Sequence, residues 1–215
     1  MEAKVKAEPK AEIVKPKEVE QNEVLNAILE LTVKDKDGKV TEHRVLKSES
    51  FVRQWLEILY VQASGKRWYG YPVRDTSDTV RQVQADEESM RADALATDTT
   101  YGIAVGTGDT APDIENHALE AQIAHGTGGG QLQYSDMAIA HPAYDATLSQ
   151  LTVTRDFANG SGDAVTVYEI GLILTMREVG DTTRYFLVIR DVIGAGIAVP
   201  TGQTLTVNYR IQAEV

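Results

Sequence analysis

Charged side chains set inside apolar runs are the first places where this sequence could do chemistry. Arg155 sits in LTVTRDF, Glu169 in VTVYEIGL, and the adjacent Arg190 and Asp191 in FLVIRDV. A charge on a buried strand face must be paired, because an isolated ion loses too much on leaving water. By alternation Arg155 shares a face with Leu151, Val153 and Phe157, and Glu169 shares one with Val165 and Val167. A hairpin turning through Asn159-Gly160-Ser161-Gly162 would set the two charges near each other diagonally. The expectation is a structural Arg155–Glu169 ion pair, with Arg190 or Asp191 joining it. The alternative is that these faces are solvated.

Other chemistries find little support. There is no cysteine, which removes disulfides, thiolate metal sites and cysteine nucleophiles. His43, His117, His125 and His141 show neither H-x-x-x-H nor H-E-x-x-H spacing, so no zinc site is expected. The stretch GTGDTAP lacks the Gly-Lys-Ser/Thr of a phosphate-binding loop, and Ala111 stands where a dinucleotide fingerprint needs its third glycine. No G-x-S-x-G elbow is present. The sequence therefore leads us to expect no catalysis and no cofactor. Trp68, Tyr69 and Tyr71 lie close together and form a candidate interaction patch, since aromatic rings can stack on sugars. A packed loop is the plainer reading of that cluster.

The elements that would position these residues are mostly strands. Residues 24–34 alternate, DKDG turns, and KVTEHRVLKS alternates again, which is a hairpin pattern. Position twelve from Asp35 is Leu46, where a calcium loop would need Glu. Ser50 is placed to cap a helix over SFVRQWLEILYVQ, with Phe51, Val52, Trp55, Leu56, Ile58 and Leu59 as its core face and Gly65 as its end. TVRQVQ reads as a short strand. DIENHALEAQI reads as a second short helix, with Asp113 as its cap and Ile114, Ala118, Leu119 and Ile123 apolar. From Leu151 onward come four strands, LTVTRDF, AVTVYEIGLILTM, RYFLVIRDVI and QTLTVNYRIQ, each followed by turn residues. That is the pattern of an antiparallel sandwich or barrel. The fold expected is mainly β, with one or two short helices and an extended N-terminal arm.

The organisation expected is an assembly arm over 1–23 and a β-rich domain over 24–215. Within the latter, 24–100 form a hairpin-plus-helix part and 101–215 an antiparallel strand part. The arm is rich in Glu, Lys, Ala and Val, is broken by Pro9 and Pro16, and buries too little apolar area to order alone. The net charge of −11 disfavours direct nucleic-acid binding. No apolar run approaches the ~20 residues of a membrane-spanning helix.

Several stretches resemble a recurring pattern in structural proteins of tailed-bacteriophage and prophage particles. They are DKDGKV…SFVRQWLEIL, GIAVGTGDTAP…ALEAQIAHG, TVTRDFANGSGDAVTVYEIGL, YFLVIRDVI and VPTGQTLTVNYRIQ, within residues 30–213. The resemblance implies a virion component, assembled in the host cytoplasm, with other virion proteins as partners and a homo-oligomeric state. A capsid decoration or minor capsid protein is the leading expectation. A tail, baseplate or fibre component, with receptor or carbohydrate binding, is the alternative. The resemblance brings no catalytic residues with it.

Overall fold

The computed structural model describes residues 25–48, 51–63 and 70–214. The protein is mainly β, built as two antiparallel sheets, one of them curled into a half-barrel, with a single helix among the described residues. The expected assembly arm over 1–23, the Ser50 cap, Gly65, Trp68 and Tyr69 lie outside the described residues.

The first hairpin forms as the alternation predicts. Strand β1 (Leu25–Lys34) turns into β2 (Val40–Ser48), and Gly38 takes a left-handed φ of 80° that a side chain would resist. The Asp35 carboxylate accepts the Asp37 and Lys39 N–H groups and closes the turn. A second turn repeats this geometry between β3 (Tyr71–Arg74) and β4 (Val80–Gln84), with Asp75 in the place of Asp35.

Helix α1 (Arg53–Ala63) joins the two hairpins. It buries Gln54, Ile58 and Val61, with Val52 just before it. The expected core face differs in one respect. Leu56 and Leu59 point to the opposite side, where they and Tyr60 are 67%, 42% and 47% exposed. This helix is apolar on two faces, so its hydrophobic spacing left the buried one ambiguous.

The remaining strands are β5 (Gly102–Gly106), β6 (Gln133–Tyr134), β7 (Ala138–Ile139), β8 (Ala143–Tyr144), β9 (Leu148–Ala158), β10 (Val165–Glu178), β11 (Thr182–Val199) and β12 (Thr204–Glu214). The first sheet runs β2-β1-β12-β9-β6, with β7 and β8 also pairing on β9. The second runs β11-β10-β4-β3, with β5 also pairing on β10. Both sheets draw strands from before and after residue 100, so the two expected parts share one core. Leu29, Leu31, Phe157, Val207 and Tyr209 fill it from the first sheet, and Val167, Ile170 and Ile189 belong to the same buried cluster. The Tyr209 hydroxyl reaches across to the second sheet, donating to Ile170 O and the Asp191 carboxylate.

Two expectations about local structure are corrected. Residues 113–123 are not a helix. Asp113–Asn116 form a turn, and the following chain runs extended against β5, with Ile123 N donating to Val105 O and Thr107 N to Ala121 O. Strands β9 and β10 are also not a hairpin. β9 pairs with β12, and β10 with β11, β4 and β5. The segment around Asn159 is a crossover between sheets. Asn159 is buried and locks it, donating to Asp163 O and Val199 O while accepting from Ser161.

Candidate functional site

The expected Arg155–Glu169 pair does not form, because the two residues sit in different sheets. Each is instead the centre of its own polar cluster. Arg155, Glu169 and Arg190 are 0%, 0% and 2% exposed.

Arg155 lies on the core face of β9. Its five N–H donors all end on backbone carbonyls: Nε on Ser135, Nη1 on Tyr101 and Ile103, Nη2 on Leu95 and Asp98, at 2.6–3.2 Å. The guanidinium also stands 4.8 Å from the Tyr134 ring centre, within cation–π range. Burial lowers its pKa from the ordinary value. These hydrogen bonds go to carbonyls rather than carboxylates, and Asp98 and Asp136 supply the negative charge nearby. The group works as a rivet that gathers the 95–103 segment and the chain after β6 onto β9.

Glu169 lies on β10 and pairs with Arg190 of β11, Nε to Oε2 at 2.9 Å. A bulge before Glu169 shifts the register, and the two residues meet on one face. The carboxylate also accepts the Gly108 and Ala121 N–H groups on Oε1 and the Glu120 N–H on Oε2. Arg190 continues the network to Thr110 O, to Asn116 Oδ1 and, at 3.5 Å, to Glu120. Glu120 in turn accepts the Thr110 N–H and hydroxyl, and these bonds hold its carboxyl below the usual carboxylate range. The cluster thereby pins the whole 106–121 loop over β10. This also explains why 113–123 fails to coil: Glu169 takes the N–H groups of Glu120 and Ala121.

The glycines of GTGDTAP acquire a reason beyond a tight turn. A Cβ on Gly106 would stand 2.4 Å from Glu169 Oε1, and one on Gly108 would meet the same atom at 2.7 Å. Only glycine lets the backbone approach that carboxylate. The glycine pair was the signal in the sequence, although it spoke for a buried anion of the protein itself.

Asp191 does not join this pair. Adjacent strand residues face opposite ways, so Asp191 turns inward to Tyr209 at 2.9 Å. Burial, then the Asp191 charge, push the Tyr209 phenol well above its ordinary value. Tyr71, the described member of the aromatic patch, packs edge-on against Tyr60 of α1, ring centres 5.1 Å apart. His125 accepts the Tyr134 N–H through Nδ1, and His117 stands 3.6 Å from Asp78.

Among the described residues no group of three His, Cys, Asp or Glu side chains could hold a metal ion, and no helix is long and apolar enough to cross a membrane. In comparisons with known proteins, no family model, curated protein or solved structure matches this chain.

Proposed function

We propose that this chain is a structural protein of a tailed-phage particle, acting without catalysis, and that it serves on the capsid surface as a decoration or minor capsid protein. The observation that carries the reading is the outward stripe of α1. Leu56, Leu59 and Tyr60 recur at i, i+3 and i+4 and stay exposed together on one face of the helix. Such a stripe suits contact with a neighbouring virion subunit.

The interior chemistry agrees with a static role. Arg155, Glu169 and Arg190 are spent on backbone groups of loops, which makes the surface rigid before any partner arrives. Preorganisation of this kind lowers the ordering cost of assembly. Symmetric repetition then multiplies weak contacts into a stable lattice. The resemblance of the strand motifs to virion proteins supports the same setting. A tail, baseplate or fibre position is the competing assignment.

Two measurements test this. Mass spectrometry of purified particles should count the protein in the hundreds if it decorates the shell; small multiples of three or six would move it to neck, baseplate or fibre. Replacing Leu56 and Leu59 together by Glu should leave the monomer folded and cut incorporation at least tenfold. Normal incorporation of that variant would overturn the role of the stripe.

A further inference from the structure

We infer that an open cleft on the outer side of the second sheet is a binding site for a neutral saccharide. This inference does not depend on the virion assignment and uses none of the aromatic patch around Trp68. The cleft holds about 520 Å³, within the ~300–1,000 Å³ typical of small-molecule sites. It opens between the β3–β4 turn, residues 99–100 and the 118–124 segment. The Glu169–Arg190 cluster fixes the loop that leads into the last of these, so one wall is built before any ligand binds.

The lining has two chemistries in separate places. Leu119, Ile123 and Ile173 are buried and form an apolar floor, beside the half-buried ring of Tyr185. That ring is already backed by Tyr101, stacked at 6.0 Å with 17° between planes. Around the rim stand the hydroxyls of Thr76, Ser77 and Thr99, which make no side-chain hydrogen bond among the described residues. Gln122 is oriented there by its amide N–H to Thr99 O at 2.6 Å, and its side chain also lies within reach of the buried Tyr134 hydroxyl.

Unspent hydroxyls over an apolar floor match the two faces of a sugar. The C–H face of a pyranose lies on the floor and the aromatic ring, as aromatic rings take apolar ring faces. Its hydroxyls exchange hydrogen bonds with groups that both donate and accept. None of the residues lining the cleft is charged. A phosphate or carboxylate ligand would therefore find no cation among them, and a cationic ligand no anion.

The test uses the full chain on an array of neutral and acidic oligosaccharides, followed by calorimetry with the strongest neutral binder. Thr99→Val removes a hydroxyl at constant shape, and Tyr185→Ala removes the ring. Each should weaken binding at least tenfold, with Thr99→Val leaving the unfolding midpoint unchanged. Ser77→Ala, at an exposed position, repeats the test should Tyr185→Ala fold poorly. Signal confined to acidic glycans, no signal on neutral ones, or loss on Trp68→Ala with full retention in the cleft variants would each overturn the inference.

Discussion

The sharpest consequence of the two separate polar clusters is a double-mutant cycle. Glu169→Ala removes the carboxylate that takes three backbone N–H groups and Arg190 Nε. It leaves the buried Arg190 guanidinium with only the more distant Glu120 as countercharge, and breaking a buried pair from one side costs about 3–5 kcal/mol. We take about 4 kcal/mol, since the Glu120 and Ala121 N–H groups are near the surface and can turn to water. Arg190→Met leaves the carboxylate with its three N–H donors, so its cost is smaller, about 3 kcal/mol. The double variant removes both charges together and should lose about 4–5 kcal/mol rather than about 7, a coupling of about 2–3 kcal/mol. Arg155 and Glu169 share no partner, so Arg155→Met with Glu169→Ala should be additive within about 0.5 kcal/mol. Urea unfolding followed by tryptophan fluorescence, with linear extrapolation, reads each value. Total stability of a domain is only about 5–15 kcal/mol, so Glu169→Gln and Arg190→Lys provide gentler versions of the same cycle. Additivity of Glu169 with Arg190, or a coupling above about 1 kcal/mol between Arg155 and Glu169, would refute the assignment of partners.

Three further outcomes follow from the same geometry. Arg155→Met should cost about 4 kcal/mol in urea unfolding, and Arg155→Lys should recover less than half of it, because an ammonium cannot serve five carbonyls in a fixed fork. Asn159→Ala should cost about 2–3 kcal/mol, since it strips donors from Asp163 O and Val199 O at the crossover. The Tyr134 phenol is pushed up to about 12 by burial; its stabilising effect is complete below its unfolded value of about 10 and is lost as pH rises toward the folded value. Tyr134 should therefore contribute about 1.4 kcal/mol per pH unit to the fall in stability across that window, beside the fall from the raised phenol of Tyr209, and Tyr134→Phe should reduce the slope read by denaturant titration at each pH by about that amount.

The β pattern was legible because alternation is local. Thr204–Ile211 alternates strictly, and Leu205, Val207 and Tyr209 are buried as that alternation requires. The hairpin at Asp35–Gly38 was legible for the same reason: turn and strands are contiguous. Arg155, Glu169 and Arg190 were recognisable as residues that must be satisfied, since charges in apolar strands carry that demand wherever they go. Their partners were not recognisable. Asn159-Gly160-Ser161-Gly162 reads as a hairpin turn, and nothing local says that Asn159 faces inward and sends the chain to the other sheet. The helical spacing of Ile114, Ala118 and Leu119 was genuine, yet Glu169, about fifty residues away, claims the N–H groups that a helix would use.

Taken alone, the chain determined its class of structure and the presence of buried charges, because side-chain period and the cost of desolvation act over a few residues. Which strands pair, which carbonyls Arg155 binds, why Gly106 and Gly108 lack a side chain and where the cleft opens were decided only in three dimensions. These depend on contacts between segments far apart in sequence, and such contacts compete by total burial and hydrogen-bond satisfaction rather than by local preference.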